Sequence, residues 1–348
     1  MASDGLTVGR ASSARPPAWR MVRTNLVLAI VVVTAWLVLG GDRALAAVAD
    51  HWPISLTMVF GSLVGGGTSE GGGAVAFPVL TKVLAVPADQ ARLFSFAIQS
   101  VGMGAATTSI VFNRVPIEWR AIRYGAPGVI LGVAASCLFL APRLELPTIR
   151  LLFTAILVSM GLALFVSRRH APHRRDWIEP FGTREIVILA GAGLFGGLLS
   201  GLAAVGENTV MFAVLVLGFR VCERIVTPTT VVLLTIATWT GFATHVLLIG
   251  DFRAPVVDMW LAAVPVVAIG APAGALIATR MSREAIVRVL YVLISIEFVS
   301  TLVLVPRSIG QTALFVGAIV VALAVCVRMA TAGRYRVAED ALVAAGSG

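Results

Sequence analysis

This sequence is short of charge: Asp, Glu, Lys and Arg make up 13% of its 348 residues, against about 25% in a soluble domain. That deficit excludes water as the only solvent of the folded chain. Cysteine is also sparse, and Cys137, Cys222 and Cys326 lie inside or at the edge of apolar runs. Their spacing matches neither a metal site nor a disulfide framework, so they read as small buried apolar residues. No nucleotide-binding motif is present, which excludes an ATP-driven pump acting without a partner. The net charge of +9 does not indicate a nucleic-acid surface, because the arginines flank apolar segments instead of forming one stripe.

What is present is apolar length. Hydrophobic residues make up 58% of the sequence and the mean hydropathy is +0.94. Apolar segments fall at 54–86, 93–112, 124–141, 148–166, 187–218, 225–249, 259–278, 286–305 and 311–327. Runs of about 20 residues are what a bilayer requires, so the sequence predicts an all-α, multi-pass membrane protein. Ahead of these segments, residues 1–25 are polar and Arg-rich, Leu26–Leu39 are apolar, and Ala44-Leu45-Ala46 follow. This pattern fits a secretory signal peptide and fits an uncleaved first helix equally well. Either reading places residue 50 outside.

Two segments, 54–86 and 187–218, are too long for one span and are broken in the middle. The first break is Gly65-Gly66-Gly67-Thr68-Ser69-Glu70-Gly71-Gly72-Gly73, and the second is Ser200-Gly201-Leu202-Ala203-Ala204-Val205-Gly206-Glu207-Asn208. At an offset of 135 residues they superpose Phe60 on Phe195, Gly61 on Gly196, Leu63 on Leu198, Gly66 on Gly201 and Gly71 on Gly206. Further along the offset becomes 138, matching Pro127 with Pro265, Gly132 with Gly270 and Arg150 with Arg288. The expected organisation is an N-terminal segment 1–53, repeat 1 at 54–166, a basic linker 167–186, repeat 2 at 187–305, and a C-terminal helix with a cytoplasmic tail at 306–348.

The distribution of arginine orients these repeats. Arg168, Arg169, Arg174, Arg175 and Arg184 place the linker in the cytoplasm. Counting back through the helices puts 113–123 inside and 87–92 outside, so 54–86 enters and leaves on one face. The same counting makes 187–218 start and end inside. Each repeat is then a Gly-broken re-entrant hairpin plus three crossings, and the odd number of crossings inverts one repeat against the other.

Irregular backbone at membrane depth is tolerated where protein buries it or where it lines a cavity. Inverted repeats bring two such breaks together near the midplane, the recurring position of a transporter's site. Glycine packing of helices is the competing explanation, and Gly125, Gly128 and Gly132 belong to it.

Gly71-Gly72-Gly73 followed by Pro78, inside a duplicated long apolar segment, resembles the sulfite exporter TauE/SafE family of membrane permeases. Asn113-Arg114-Val115 before Glu118-Trp119 is similar to that family's basic loop, and the basic central linker fits as well. The resemblance covers residues 54–305. It implies secondary transport of a small anion, sulfite or an organosulfonate or a related carboxylate, by export across the bacterial inner membrane. It implies no enzymatic activity, cofactor or metal, and its partners are the substrate and the bilayer, with a homodimer allowed.

The chain departs from the family pattern at two acids. Gly206-Glu207-Asn208 stands where a second glycine triplet is expected, and Glu70 stands where an apolar residue is usual. The candidate substrate residues are Ser69, Glu70, Gly71, Gly72, Gly73, Gly206, Glu207, Asn208 and Thr209. The candidate proton-coupling residues are Glu70, Glu207, Glu297 and His245. Intramembrane acids are functional hypotheses by default, and three readings stay open: a proton-coupling pair, a cation or metal site, or acids that cap free backbone N–H groups. Gln99 and Thr227-Pro228-Thr229-Thr230 either line the cavity or bond helix to helix. Ser200 with His245 suggests an intramembrane hydrolase, but no third group has a recognisable spacing.

Overall fold

The structure, a computed structural model, describes residues 17–68, 71–168 and 175–346. Among these, nine helices are long and apolar enough to cross a membrane, and the protein is a multi-pass helical membrane protein. The helices run α1 (Ala18–Asp50), α2 (Trp52–Gly67), α3 (Gly73–Lys82), α4 (Ala88–Phe112), α5 (Trp119–Ala135) and α6 (Leu146–Arg168). After the linker come α7 (Thr183–Ala203), α8 (Glu207–Ala213), α9 (Glu223–Ala243), α10 (Val256–Arg280), α11 (Arg283–Leu304) and α12 (Ile309–Gly346).

Both expected breaks are real interruptions. At about 1.5 Å per residue, the 16 residues of α2 rise roughly 24 Å, short of a hydrocarbon core of about 30 Å. The chain then folds back on itself. A Cβ on Gly65 would lie 2.4 Å from the Gly72 nitrogen, and one on Gly196 would lie 2.8 Å from Glu207 Cα. Only glycine allows the two arms of each hairpin to approach this closely. Ala204, in the left-handed region at φ 57°, and Gly206, at φ 126°, turn the second hairpin. Its first arm is longer than expected: α7 begins at Thr183 and has 21 residues, enough by length to cross a membrane.

Packing between the halves is reciprocal. A Cβ on Gly132 (α5) would meet the Leu198 nitrogen (α7) at 2.8 Å, and one on Gly270 (α10) would meet Ser62 Cβ at 2.9 Å and the Leu63 nitrogen (α2) at 3.8 Å. Leu63 and Leu198 are equivalent in the duplication, as are Gly132 and Gly270. The fourth helix of one half thus lies on the first hairpin arm of the other, in both directions. Helices α4 and α9, also equivalent, meet through Thr107 and Thr235, whose hydroxyls are 2.7 Å apart.

The outer helices differ from these. Leu39, Val38, Val320 and Val321 on α1 and α12 are exposed, as side chains facing lipid are. Helix α1 continues past Ala44-Leu45-Ala46 and is held to α10, with Trp36 Nε1 donating to the Leu261 carbonyl at 2.8 Å and Arg43 pairing with Asp258 at 2.8 Å. Helix α12 continues to Gly346, where the sequence suggested a tail; Ala, Arg, Glu and Leu there favour helix. Glu118 ties the loop before α5 to the linker, accepting hydrogen bonds from Arg120 and from the Ile178 backbone N–H at 3.0 Å.

Candidate functional site

The two hairpin tips meet on Gln99 of α4. Its Nε2 donates to the Ala204 carbonyl of the second tip at 3.0 Å and to the Ser95 carbonyl at 3.0 Å. On its other side lies the first tip. A Cβ on Gly73 would sit 2.7 Å from Gln99 Nε2 and 2.6 Å from Val205 Cγ1, and one on Gly71 would sit 2.5 Å from Leu234 Cδ2. Gly71 also has φ +73°, which side chains rarely adopt. Glycine at 71 and 73 therefore sets how closely the tips approach. Of the two readings of Gln99, the structure shows a side chain that bridges α4 to a hairpin tip.

Beside this junction is a small cleft whose lining includes ionic residues. Helix α3 contributes Gly73, Phe77, Pro78 and Lys82, α6 contributes Arg150 and Phe153, the second tip Ala203 and Val205, and α11 Glu297. Lys82 Nζ lies 3.4 Å from Glu297 Oε1, and their side chains are 2% and 11% exposed. The ammonium also donates to Ser300 Oγ at 2.9 Å and Thr301 Oγ1 at 3.3 Å. Glu297 Oε1 accepts in turn from Thr301 Oγ1 at 3.0 Å and Thr154 Oγ1 at 3.4 Å. Arg150 is buried with its guanidinium 5.8 Å from the centre of the Phe77 ring, and its Nε has no acceptor among the described residues. The cleft is small, about 10 Å³, and its lining residues include two cations and one carboxylate among apolar side chains. Buried charges are costly unless paired, and one positive charge here lacks a carboxylate partner among the cleft's lining.

The sequence-predicted residues separate into groups. Gly71, Gly72 and Gly73 lie at the first tip, and Gly206, Glu207, Asn208 and Thr209 at the second, all buried. Ser69 and Glu70 lie outside the described residues. Glu207 is fully buried, and both its carboxylate oxygens lack a hydrogen-bond partner among the described residues. Its backbone N–H donates to Ser200 Oγ at 3.1 Å, while Asn208 Oδ1 accepts from the Gly206 N–H at 3.0 Å. The capping role thus falls to Asn208 and Ser200.

Glu297 is in the cleft and held by Lys82. His245 lies elsewhere: its Nδ1 is 3.0 Å from both carboxylate oxygens of Asp251. Ser200 and His245 share no hydrogen bond among the described residues. Thr229 Oγ1 accepts from the Glu118 N–H at 2.9 Å and Thr230 Oγ1 donates to the Thr227 carbonyl, so these two hydroxyls bond to backbone, while Thr227 Oγ1 has no partner among the described residues. No group of three or more His, Cys, Asp or Glu side chains is placed to hold a metal among the described residues.

Lys82 and Arg150 were not singled out from the sequence, yet a signal for each was there. Lys82 is the only lysine in the chain, set inside an apolar segment where any charge is costly. Arg150 is one of the few polar positions that the duplication repeats.

The chain matches the family model described as Sulfite exporter TauE/SafE over residues 54–301. No curated protein and no solved structure matches it.

Proposed function

The chain belongs to the sulfite exporter TauE/SafE family of membrane transporters, and from that premise we propose that it is a secondary carrier exporting a small sulfur-containing or carboxylate anion across the bacterial inner membrane. The observation that carries the substrate's sign is the cleft at the hairpin junction, where Lys82 and Arg150 outnumber Glu297. A planar guanidinium presents a fork of donors suited to an oxyanion, and an ammonium adds a point charge. The Ser300 and Thr301 hydroxyls beside Lys82 supply further donors. Inverted repeats, each with a re-entrant hairpin, provide the movement: rocking one half against the other exposes the junction to either face in turn. The reciprocal packing of α5 on α7 and α10 on α2 supports this arrangement.

Glu207 is our choice for proton coupling. Its oxygens accept no hydrogen bond among the described residues, so a proton exchanges there without breaking an ion pair, unlike at Glu297. The cation-carrier alternative has less support, because the lining of this cleft, which touches both tips, carries excess positive charge.

The deciding experiment is flux from proteoliposomes loaded with sulfite, isethionate or acetate, comparing the native chain with Arg150→Gln. Flux of at least one anion is expected, falling ten-fold or more in the variant at equal insertion. Equal flux in both would reject the cleft as the anion path.

A further inference from the structure

The cleft has a second property, which rests on the anion-carrier reading above: it contains a carboxylate of its own. Glu297 shares one Lys82 ammonium with whatever anion enters, and Oε1 is anchored by the Thr301 and Thr154 hydroxyls. Arg150 lines the same cleft from α6, and its buried Nε lacks an acceptor among the described residues. The lining charges sum to one positive charge: Lys82 and Arg150 against Glu297. We propose that Glu297 sets the valence of the transported anion, admitting a small monoanion bearing one sulfonate, hydrogensulfite or carboxylate group and disfavouring a dianion.

The physical reason is charge balance in a poorly solvated space. A monoanion on Arg150 and Lys82 brings the cleft to neutrality while Glu297 stays in place. A dianion leaves an excess negative charge close to the Glu297 carboxylate, and like charges at such distances repel strongly where water is excluded. The anchoring of Oε1 by two hydroxyls from different helices, α6 and α11, opposes the alternative in which Glu297 swings away. Selectivity by a built-in repulsive group is a recognised device for separating close substrates. The duplication repeats Arg150 as Arg288 but not the lysine, since the position equivalent to Lys82 is Leu217. The cluster therefore occurs once, with Lys82 and Arg150 from the first half and Glu297 from the second.

The test uses two probes that share a tetrahedral sulfur and differ in charge, methanesulfonate and sulfate. Binding of each is measured by calorimetry on the purified full chain in lipid nanodiscs. The native chain is expected to bind methanesulfonate at least ten-fold more tightly than sulfate, and Glu297→Gln to reverse the order. Should Glu297→Gln fail to fold, Ser300→Asp gives an independent reading. Its carboxylate would fall beside Lys82 Nζ, now 2.9 Å from Ser300 Oγ, and bring the sum to zero. Both probes should then bind at least ten-fold more weakly, while Ser300→Asn retains the native order. An unchanged methanesulfonate-to-sulfate ratio in Glu297→Gln, or native affinity in Ser300→Asp, overturns the proposal. If Arg150→Gln loses both probes in that case, the anion cleft stands and only the role of Glu297 falls. Binding of neither probe to the native chain overturns both.

Discussion

Lys82 Nζ and Glu297 Oε1 lie 3.4 Å apart although 215 residues separate them in the chain, and the pair joins the first hairpin of one half to the last long helix of the other. Breaking such a buried pair from one side leaves the other charge uncompensated, at a cost of about 3–5 kcal/mol. Lys82→Gln should therefore lower stability by that order, and Lys82→Gln/Glu297→Gln should recover most of it. Denaturation followed in detergent checks both. A double variant no more stable than the single one would show that the pair is not a mutual dependence.

Because Lys82 is the only lysine, amine chemistry reports on the cleft directly. An amine-reactive ester should modify Lys82 slowly compared with the N-terminus, and a transported anion should slow it at least several-fold further. Peptide mass spectrometry separates the two amines. No protection at saturating anion would place the substrate away from Lys82.

Two glycines in the first hairpin should fail in different ways. At Gly66 a Cβ would stand 1.8 Å from the Ala271 carbonyl oxygen, and at Gly73 it would stand 2.6 Å from the Val205 side chain. The first clash is with backbone and cannot be relieved by a side-chain rotation, so Gly66→Ala should reduce the amount of folded protein in the membrane. Gly73→Ala should insert at near-native levels and cut flux ten-fold or more, by holding the tips apart. Detergent-extracted yield and proteoliposome flux distinguish the two outcomes.

Glu207→Gln keeps the shape of the side chain and removes its exchangeable proton. Anion binding should persist within a few-fold, while flux should lose its dependence on an imposed pH gradient. Flux that still follows the gradient would remove Glu207 from the coupling path, and loss of binding would favour a direct role in holding the substrate.

The orientation of the halves is testable with single cysteines in a chain lacking Cys137, Cys222 and Cys326. Asp89→Cys and Gly182→Cys are both at exposed positions. An impermeant thiol reagent should reach position 89 from outside the cell and position 182 only from the cytoplasmic side. Labelling of both from one face would contradict the re-entrant hairpins and the inversion they imply.

The residues that a sequence describes well here are those whose role is local. The bilayer demands apolar length in each crossing helix, so α4, α5, α6, α9, α10 and α11 could be placed from hydropathy alone. Glycine leaves a mark wherever two backbones must touch, so the breaks at 65–73 and 200–208 and their duplication were visible before any packing was known. The acid Glu207 was visible because charge inside an apolar run is conspicuous. Which charges share a space was not visible, since Lys82, Arg150 and Glu297 sit on three separate helices and come together only when those helices pack. Periodicity and composition report the solvent that each segment meets. The partner of a buried ion is chosen by contacts between distant segments, and in this protein that choice gives the hairpin junction its positive charge.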